Sequence, residues 1–386
     1  MNYERRRGRE RNARTKWQLR IMNYKKVEKI QFQCDYNEGC APQILQRLVE
    51  TNFEQNIGYG EDPHCEYARE LIRKACEAPN ADVHFLVGGT QANATIIGSI
   101  LRPYQGVIAA TTGHIAVHET GAIEHIGHKV VTLPATNGKI KAEQIQQCLI
   151  EHYHEDGPEH MVQPAMVYIS YPTEYGTLYS KQELTDIHNV CQQYQIPLFV
   201  DGARLGYGLA SKESDITLPE LAKLADVFYL GGTKQGALFG EAVVITNPAL
   251  KKDFRYFIKQ GGGMLAKGRL LGIQYEELMQ NDLYLSLARH ANELAERIQQ
   301  ALLQKGYKMA VPSPTNQQFF VLPNKVLKAL EEKFVLGIWG HADADHTIVR
   351  FCTSWATKKE NVDKLINSLT PNPSPVGEGG EINKNI

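Results

Sequence analysis

Between residues 84 and 245, short β-branched or apolar runs keep returning after longer segments whose apolar residues recur every three or four positions. This alternation is the pattern of parallel strands joined by helices, because each parallel connection has to cross back over the sheet. Runs of strand length fall at 84–87, 106–110, 129–133, 165–170, 197–200, 227–230 and 241–245, and several end in Gly, Pro, Asp or Thr. They predict an α/β fold whose large domain holds a mostly parallel sheet of seven strands flanked by helices. Segments 181–194 and 218–224 read as crossover helices. After Pro248 the pattern changes to a long amphipathic helix at 284–305, short strands at 318–322 and 347–352, and a helix at 359–369. These predict a smaller C-terminal α+β domain.

A length of 386 residues suits this division into two domains without disulfides or metals. The expected boundaries are a basic, disordered N-terminal extension at 1–22, an N-terminal arm with the large domain at 23–255, the small domain at 256–369, and a disordered tail at 370–386. The extension holds seven Arg and Lys16 against Glu4 and Glu10, with little apolar content to pack. Aromatic interleaving there is limited to Tyr3 and Trp17, which argues against nucleic acid as a partner. A formal net charge of -1 gives no global field to attract nucleic acid or anionic lipid. No run approaches the roughly 18 apolar residues of a membrane span, and no apolar segment follows the Arg-rich start as in a signal peptide. The 7 cysteines are scattered and never in CxxC spacing, so neither a disulfide framework nor a zinc or other metal site is expected. A cytoplasmic protein with reduced thiols follows as the expectation.

Chemistry concentrates in three motifs. Gly88-Gly89-Thr90-Gln91-Ala92-Asn93 follows a predicted strand and opens a helical run, so its free amides could hold an anion such as a phosphate; a plain tight turn is the other reading. Phe199-Val200-Asp201-Gly202-Ala203-Arg204 puts a carboxylate at the carboxyl end of a strand, the edge where open α/β sheets bind ligands. Asp201 could equally be a turn former paired with Arg204. Phe228-Tyr229-Leu230-Gly231-Gly232-Thr233-Lys234 ends an apolar strand in a lysine. Desolvation lowers an amine's pKa and makes it a nucleophile able to form an imine, whereas a snorkelling surface lysine is the alternative. Together they supply what pyridoxal 5'-phosphate requires: an anion cradle at Gly89, Thr90 and Gln91, a carboxylate for the pyridinium nitrogen at Asp201, and a Schiff-base lysine at Lys234.

In this combination the stretch from 31 to 369 resembles the aspartate-aminotransferase-like superfamily of pyridoxal-phosphate enzymes, fold type I, and within it the threonine aldolase and β-eliminating lyase branch. The resemblance implies that Gly89 to Asn93 grips the phosphate, that Asp201 and Arg204 contact the pyridinium and the substrate, and that His114 stacks on the ring. It also implies that Arg350 binds the substrate carboxylate, and that the enzyme is a homo-oligomer acting on a small amino acid. The aldolases carry a histidine where this chain has Glu174, which becomes a substrate-binding residue and, with His114, His118 and Lys234, a candidate base. They also have a Ser-Asp-Thr phrase where this chain reads Cys34-Asp35-Tyr36. His118 and Glu119 read as a solvated helix start and stay outside the core set. Gly261-Gly262-Gly263 reads as a mobile loop near the cofactor or as a simple linker. The leading expectation is aldol cleavage of a β-hydroxy amino acid to glycine and an aldehyde. β-Elimination or transamination on the same scaffold, and a non-catalytic protein that binds the cofactor or nucleic acid, are the alternatives.

Overall fold

The structure, a computed structural model, describes residues 29–372; the basic extension and all but the start of the C-terminal tail lie outside the described residues. Twelve strands form two sheets, with β1 at Ile30–Phe32, β2 at Asp82–Leu86, β3 at Gln105–Ala110, β4 at Lys129–Leu133, β5 at Gln163–Ser170 and β6 at Leu198–Asp201. They continue with β7 at Val227–Gly231, β8 at Glu241–Ile245, β9 at Lys308–Val311, β10 at Gln317–Pro323, β11 at Phe334–His341 and β12 at His346–Cys352. The larger sheet has seven strands in the order β2-β8-β7-β6-β5-β3-β4. Only β8 runs against its neighbours β2 and β7; the remaining pairs are parallel. Every strand expected in this region is present, which makes the seven-stranded, mostly parallel prediction correct.

Alternate residues of each central strand enter opposite layers of core. Leu198 and Val200 pack into one cluster while Phe199 packs into the other, and Ile108 and Ala110 face away from Val107 and Ala109 in the same way. A strand buried on both faces has to be apolar throughout, which is why these runs lack polar alternation. Helix Lys181–Tyr194 starts where Ser180 accepts the Glu183 amide and Glu183 returns a bond to the Ser180 amide; Thr217 and Glu220 do the same for Leu218–Leu224. Both helices occupy the spans expected from their periodicity.

The second sheet is five-stranded, ordered β1-β11-β12-β10-β9, and packs against helices Leu283–Gln304 and Lys359–Ser368 through Phe320, Phe351, Ile298 and Leu365. Its edge strand β1 comes from the N-terminal arm and pairs in parallel with β11, so the arm starts in the smaller sheet before Ala41 and Ile44 enter the core of the larger. Three residues are too few for a hydrophobic period to reveal such a strand.

Where β6 leaves the sheet, the chain passes so close to β7 that a Cβ on Gly202 would lie 1.7 Å from the Tyr229 carbonyl oxygen. The Gly202 carbonyl also accepts the amides of Leu205 and Gly231. Gly202→Ala must push β6 and β7 apart and is expected to lower unfolding free energy by about 1–3 kcal/mol, as overpacked cores do. Urea unfolding followed by tryptophan fluorescence measures this; an unchanged midpoint would contradict the close approach.

Candidate active site

Because β2, β3, β5, β6 and β7 are parallel, their carboxyl ends share one edge, and the antiparallel β8 brings its first residue, Glu241, to that same edge. A cavity of about 320 Å³ opens there. Among the expected site residues it is lined by Gly89, Thr90, His114, Glu174, Asp201, Arg204 and Lys234.

Lys234 sits on the short connection between β7 and β8. The loop is closed at its base by Gly232 and Thr233 amides donating to the Gly240 carbonyl, and by the Gly240 amide donating to Thr233 Oγ1. Tyr207 anchors the Lys234 carbonyl through its hydroxyl. The side chain is half-buried, and among the described residues its ammonium makes no hydrogen bond or ion pair. Burial, reinforced by the nearby Arg204 charge, lowers its pKa against the pull of Asp35, Glu241 and Asp201. Lys234 lines the cavity rather than snorkelling to the surface, and a lowered pKa favours the neutral form of an amine.

Asp201 is buried, and burial alone would raise its pKa; His114 and hydrogen bonds involving Tyr168, Tyr229 and the Ala203 amide outweigh that and hold it below the usual carboxylate range. Tyr168 donates to Oδ2 at 2.6 Å and the Ala203 amide to Oδ1 at 3.0 Å. Asn93 Nδ2 donates both to Asp201 Oδ2 at 3.2 Å and to Glu119 Oε1 at 2.7 Å, bridging two buried carboxylates. Glu119 Oε1 in turn lies 2.7 Å from His114 Nδ1 and fixes that ring's orientation. The sequence reading of Glu119 as solvated is therefore corrected: its side chain is fully buried, whereas its neighbour His118 is exposed.

Arg204 does not pair with Asp201. Its Nε and Nη2 donate to Asp35 Oδ2 and Oδ1 at 2.7 and 2.9 Å, a two-pronged bond to a fully buried carboxylate of the N-terminal arm. Asn316 of β9–β10 also donates to Asp35, at 2.9 Å, so arm, large sheet and small sheet meet on one side chain. Burial would raise the pKa of Asp35, but the Arg204 charge outweighs it and holds the carboxyl below its ordinary value. Nη1 is the terminal nitrogen of Arg204 that Asp35 leaves unengaged.

Glu174, after β5, is buried and takes Oε1 bonds from the Ser170 hydroxyl at 2.7 Å and the His114 amide at 2.8 Å. Burial, with repulsion from Asp201, raises its pKa above the ordinary carboxylate value.

Gln91 and Arg350 lie outside the cavity wall. Gln91 accepts the Val87 amide and donates to the Gly261 carbonyl, bracing the turn after β2. The glycine stretch beyond Gln260 is packed against that turn, since a Cβ on Gly263 would meet Leu86 at 2.6 Å. Arg350 donates to Gln317 and the Gln33 carbonyl and lies over Trp339, 5.0 Å from its ring centroid. Sequence reasoning missed Asp35, Asn93's bridging, Tyr168, Glu119 and Glu241. Of these, Glu241 carried a signal, a charge heading the wholly apolar run Ala242-Val243-Val244-Ile245.

The wall suits a flat, phosphorylated aldehyde. Helix Gly89–Ile100 begins after Gly88 with no side-chain cap, leaving its first amides for an anion. An ionised carboxylate and an unengaged amine face the same space. Glu241, a residue of the wall, has a buried Oε2 without a partner, as do Glu119 at Oε2 and Asn93 at Oδ1, the residues that hydrogen-bond His114 and Asp201. Among the described residues no group of His, Cys, Asp and Glu is arranged to hold a metal ion.

The fold and the residues at this sheet edge define a fold-type-I enzyme frame. Aspartate aminotransferase from Thermus thermophilus superposes with a TM-score of 0.64 over 92% of this chain and 94% of its own, at 15% identity, a likeness of fold alone. The β-eliminating lyase family model matches residues 31–325, and the chain belongs to that family. It is 30% identical over 340 residues, 87% of this chain and 95% of the relative, to the low specificity L-threonine aldolase of a Pseudomonas strain. A structure of Leishmania major threonine aldolase is 45% identical, with a TM-score of 0.85 over 88% of this chain and 98% of that one.

Asp35→Ala is expected to lower unfolding free energy by about 3–5 kcal/mol, since it strands the Arg204 guanidinium. The double replacement Asp35→Leu with Arg204→Met should recover most of that loss. Urea unfolding of the two variants checks the pair; equal losses in the single and the double variant would show that the charge pairing is not what matters.

Proposed function

We propose that this protein is a pyridoxal-phosphate-dependent lyase that cleaves the Cα–Cβ bond of a β-hydroxy amino acid such as threonine, giving glycine and an aldehyde. The observation that carries this reading is Lys234: an unengaged amine of lowered pKa facing a buried, ionised Asp201 across one cavity. Membership of the β-eliminating lyase family and the similarity to threonine aldolases support the reaction class. When bound, the cofactor supplies an aldehyde to capture the amino group and a ring that draws electrons from the substrate's α-carbon.

Lys234 would hold the aldehyde, the amides at Gly89 and Thr90 the phosphate, and His114, oriented by Glu119, would cover the ring. Asp201 would keep a proton on the ring nitrogen, which requires the low pKa that His114, Tyr168, Tyr229 and the Ala203 amide give it against burial. Arg204 Nη1 would take the substrate carboxylate, a reading supported by Asp35 engaging only Nε and Nη2 of the guanidinium. Glu174 would take the proton from the substrate β-hydroxyl: its raised pKa brings a carboxylate toward the range in which it accepts a proton and later returns it. Ser170 and the His114 amide hold its other face rigid.

Exposed apolar side chains at Leu45, Val49, Phe53 and Ile57, along and beyond helix Pro42–Glu50, support assembly into a homo-oligomer. The cysteines are all free, in keeping with a reducing cytoplasm. Among the described residues no helix is long and apolar enough to cross a membrane.

Threonine should yield equal amounts of glycine and acetaldehyde, with no keto acid or ammonia; the reverse product pattern would assign β-elimination instead. Lys234→Ala should abolish both products and the visible absorbance that develops when the cofactor is added. Glu174→Gln should bind cofactor normally and lower kcat by about 10²–10⁴-fold, the usual contribution of a general base. The acid limb of its pH–rate profile should also vanish, because the carboxyl that must be ionised to act is gone. A kcat within a factor of about two of wild type would remove Glu174 from the reaction.

A further inference from the structure

Two buried carboxylates of the site are joined by a pair of hydroxyls. Tyr168 donates to Asp201 Oδ2 at 2.6 Å, and Ser170 lies 3.3 Å from the Tyr168 oxygen and 2.7 Å from Glu174 Oε1. Residues two apart on a strand share a face, and Ser170 stands opposite Asp201 in the β5–β6 register. The end of β5 therefore sets both hydroxyls between the carboxylate of β6 and the one that follows β5. Glu174 receives its second bond, from the His114 amide at 2.8 Å, on the same Oε1.

The count of protons along this link decides how it works. Tyr168 is 1% exposed, and burial beside Asp201 raises its pKa well above that of an ordinary phenol, so it stays protonated and commits its proton to Asp201. Its oxygen is then an acceptor toward Ser170. Ser170 also has one proton, and two acceptors compete for it: Glu174 Oε1 and the Tyr168 oxygen. An ionised Glu174 wins, because a hydrogen bond to a charged oxygen is about twice as strong as one between neutral groups. Once Glu174 is neutral that advantage is gone, and the Ser170 proton is free to turn to Tyr168. The bond from Tyr168 to Asp201 then strengthens, since a hydroxyl that accepts a hydrogen bond becomes a better donor.

We propose that Ser170 is a positioning residue that, through Tyr168, links the charge state of Glu174 to the strength with which Asp201 is held ionised. No proton passes along the link: Glu174 takes the one released by the substrate β-hydroxyl, and Ser170 and Tyr168 each keep their own. Neutral Glu174 no longer repels Asp201, and the turned hydroxyl reinforces the Tyr168 bond, so both effects favour an ionised Asp201 at the stage when Glu174 holds the extra proton. Among the other groups facing Glu174, His114 attracts its charge, while Tyr175 and Tyr179 are pushed above the ordinary phenol range by burial and stay neutral. By reciprocity, whatever Tyr168 does to the titration of Glu174, Glu174 does to the bond that Tyr168 makes.

The inference rests on Glu174 being the base, but its test needs no turnover. Difference infrared spectra of the full-length chain, recorded against pH, report the protonated Glu174 carboxyl as the band missing from Glu174→Gln. Ser170→Ala removes a donor to the ionised form and should move the midpoint of that band up by about 1–2 pH units. Tyr168→Phe removes the acceptor that Ser170 uses when Glu174 is neutral and should move it down by about half a unit. Asp201 keeps His114, Tyr229, Asn93 and the Ala203 amide in that variant and stays ionised. The double variant should titrate like Ser170→Ala, because Tyr168 reaches Glu174 only through the serine hydroxyl; additive shifts would break the link. Ser170→Thr retains the hydroxyl and should titrate as wild type, so a midpoint displaced as far as in Ser170→Ala would remove the hydroxyl as the cause. Unmoved midpoints in both single variants overturn the proposal outright. The kinetics of Glu174→Gln decide the base separately, so either reading can fail without the other.

Discussion

The structure depends on keeping one buried carboxylate, Asp201, ionised at the end of a strand with apolar neighbours. Burial works against it, and the groups that reverse this come from separate elements: His114 after β3, Tyr168 from β5, Tyr229 from β7 and the Ala203 amide from its own turn, with Asn93 of the helix after β2 donating a further hydrogen bond. Each bond requires its element to stand at a fixed place in the sheet order. The close crossing at Gly202 follows, because only a residue without Cβ lets the Ala203 amide fold back while β7 passes beneath.

Around that anchor the site distributes charge so that few groups stand uncompensated. Arg204 is neutralised by Asp35, Asn93 bridges Glu119 and Asp201, and Glu174 and Glu241 are relieved by raised pKa values rather than by partners. The Asp35–Arg204 pair also has a mechanical consequence. Asn316 joins it from the small sheet, and β1 of the same arm pairs with β11, so both ends of this connection are set by the arm. Movement of the small sheet against the large one would be felt first at the guanidinium that faces the cavity.

Much of this was legible in the sequence, and the parts that were not share a physical reason. The seven strands announced themselves because strands buried on both faces must be apolar, and helices Lys181–Tyr194 and Leu218–Leu224 because their capping residues and periodicity agree. Lys234, Asp201 and the Gly89 turn were visible because each breaks the local pattern at a strand end. Asp35 and Asn316, 281 positions apart, meet only through tertiary packing and leave no mark on local spacing. Glu119 looked like surface because its side chain is buried against Asn93 and His114, not against apolar neighbours whose period could be seen. Gln91 and Arg350 illustrate the converse, since motif position alone did not say that one braces Val87 and Gly261 while the other rests on Trp339.

The lone antiparallel strand ties these threads together. A parallel successor to β7 would have required a helical crossover and would have started at the opposite edge. Reversing β8 instead lets a short loop return directly, closed by bonds among Gly232, Thr233 and Gly240, and sets residues 234 and 241 at one edge. A lysine on a helix-linked loop would owe its pKa to whatever packed against it. Here one short loop places Lys234 and Glu241 on the same cavity wall, while Arg204, which with burial lowers the pKa of the amine, reaches it from the turn after β6.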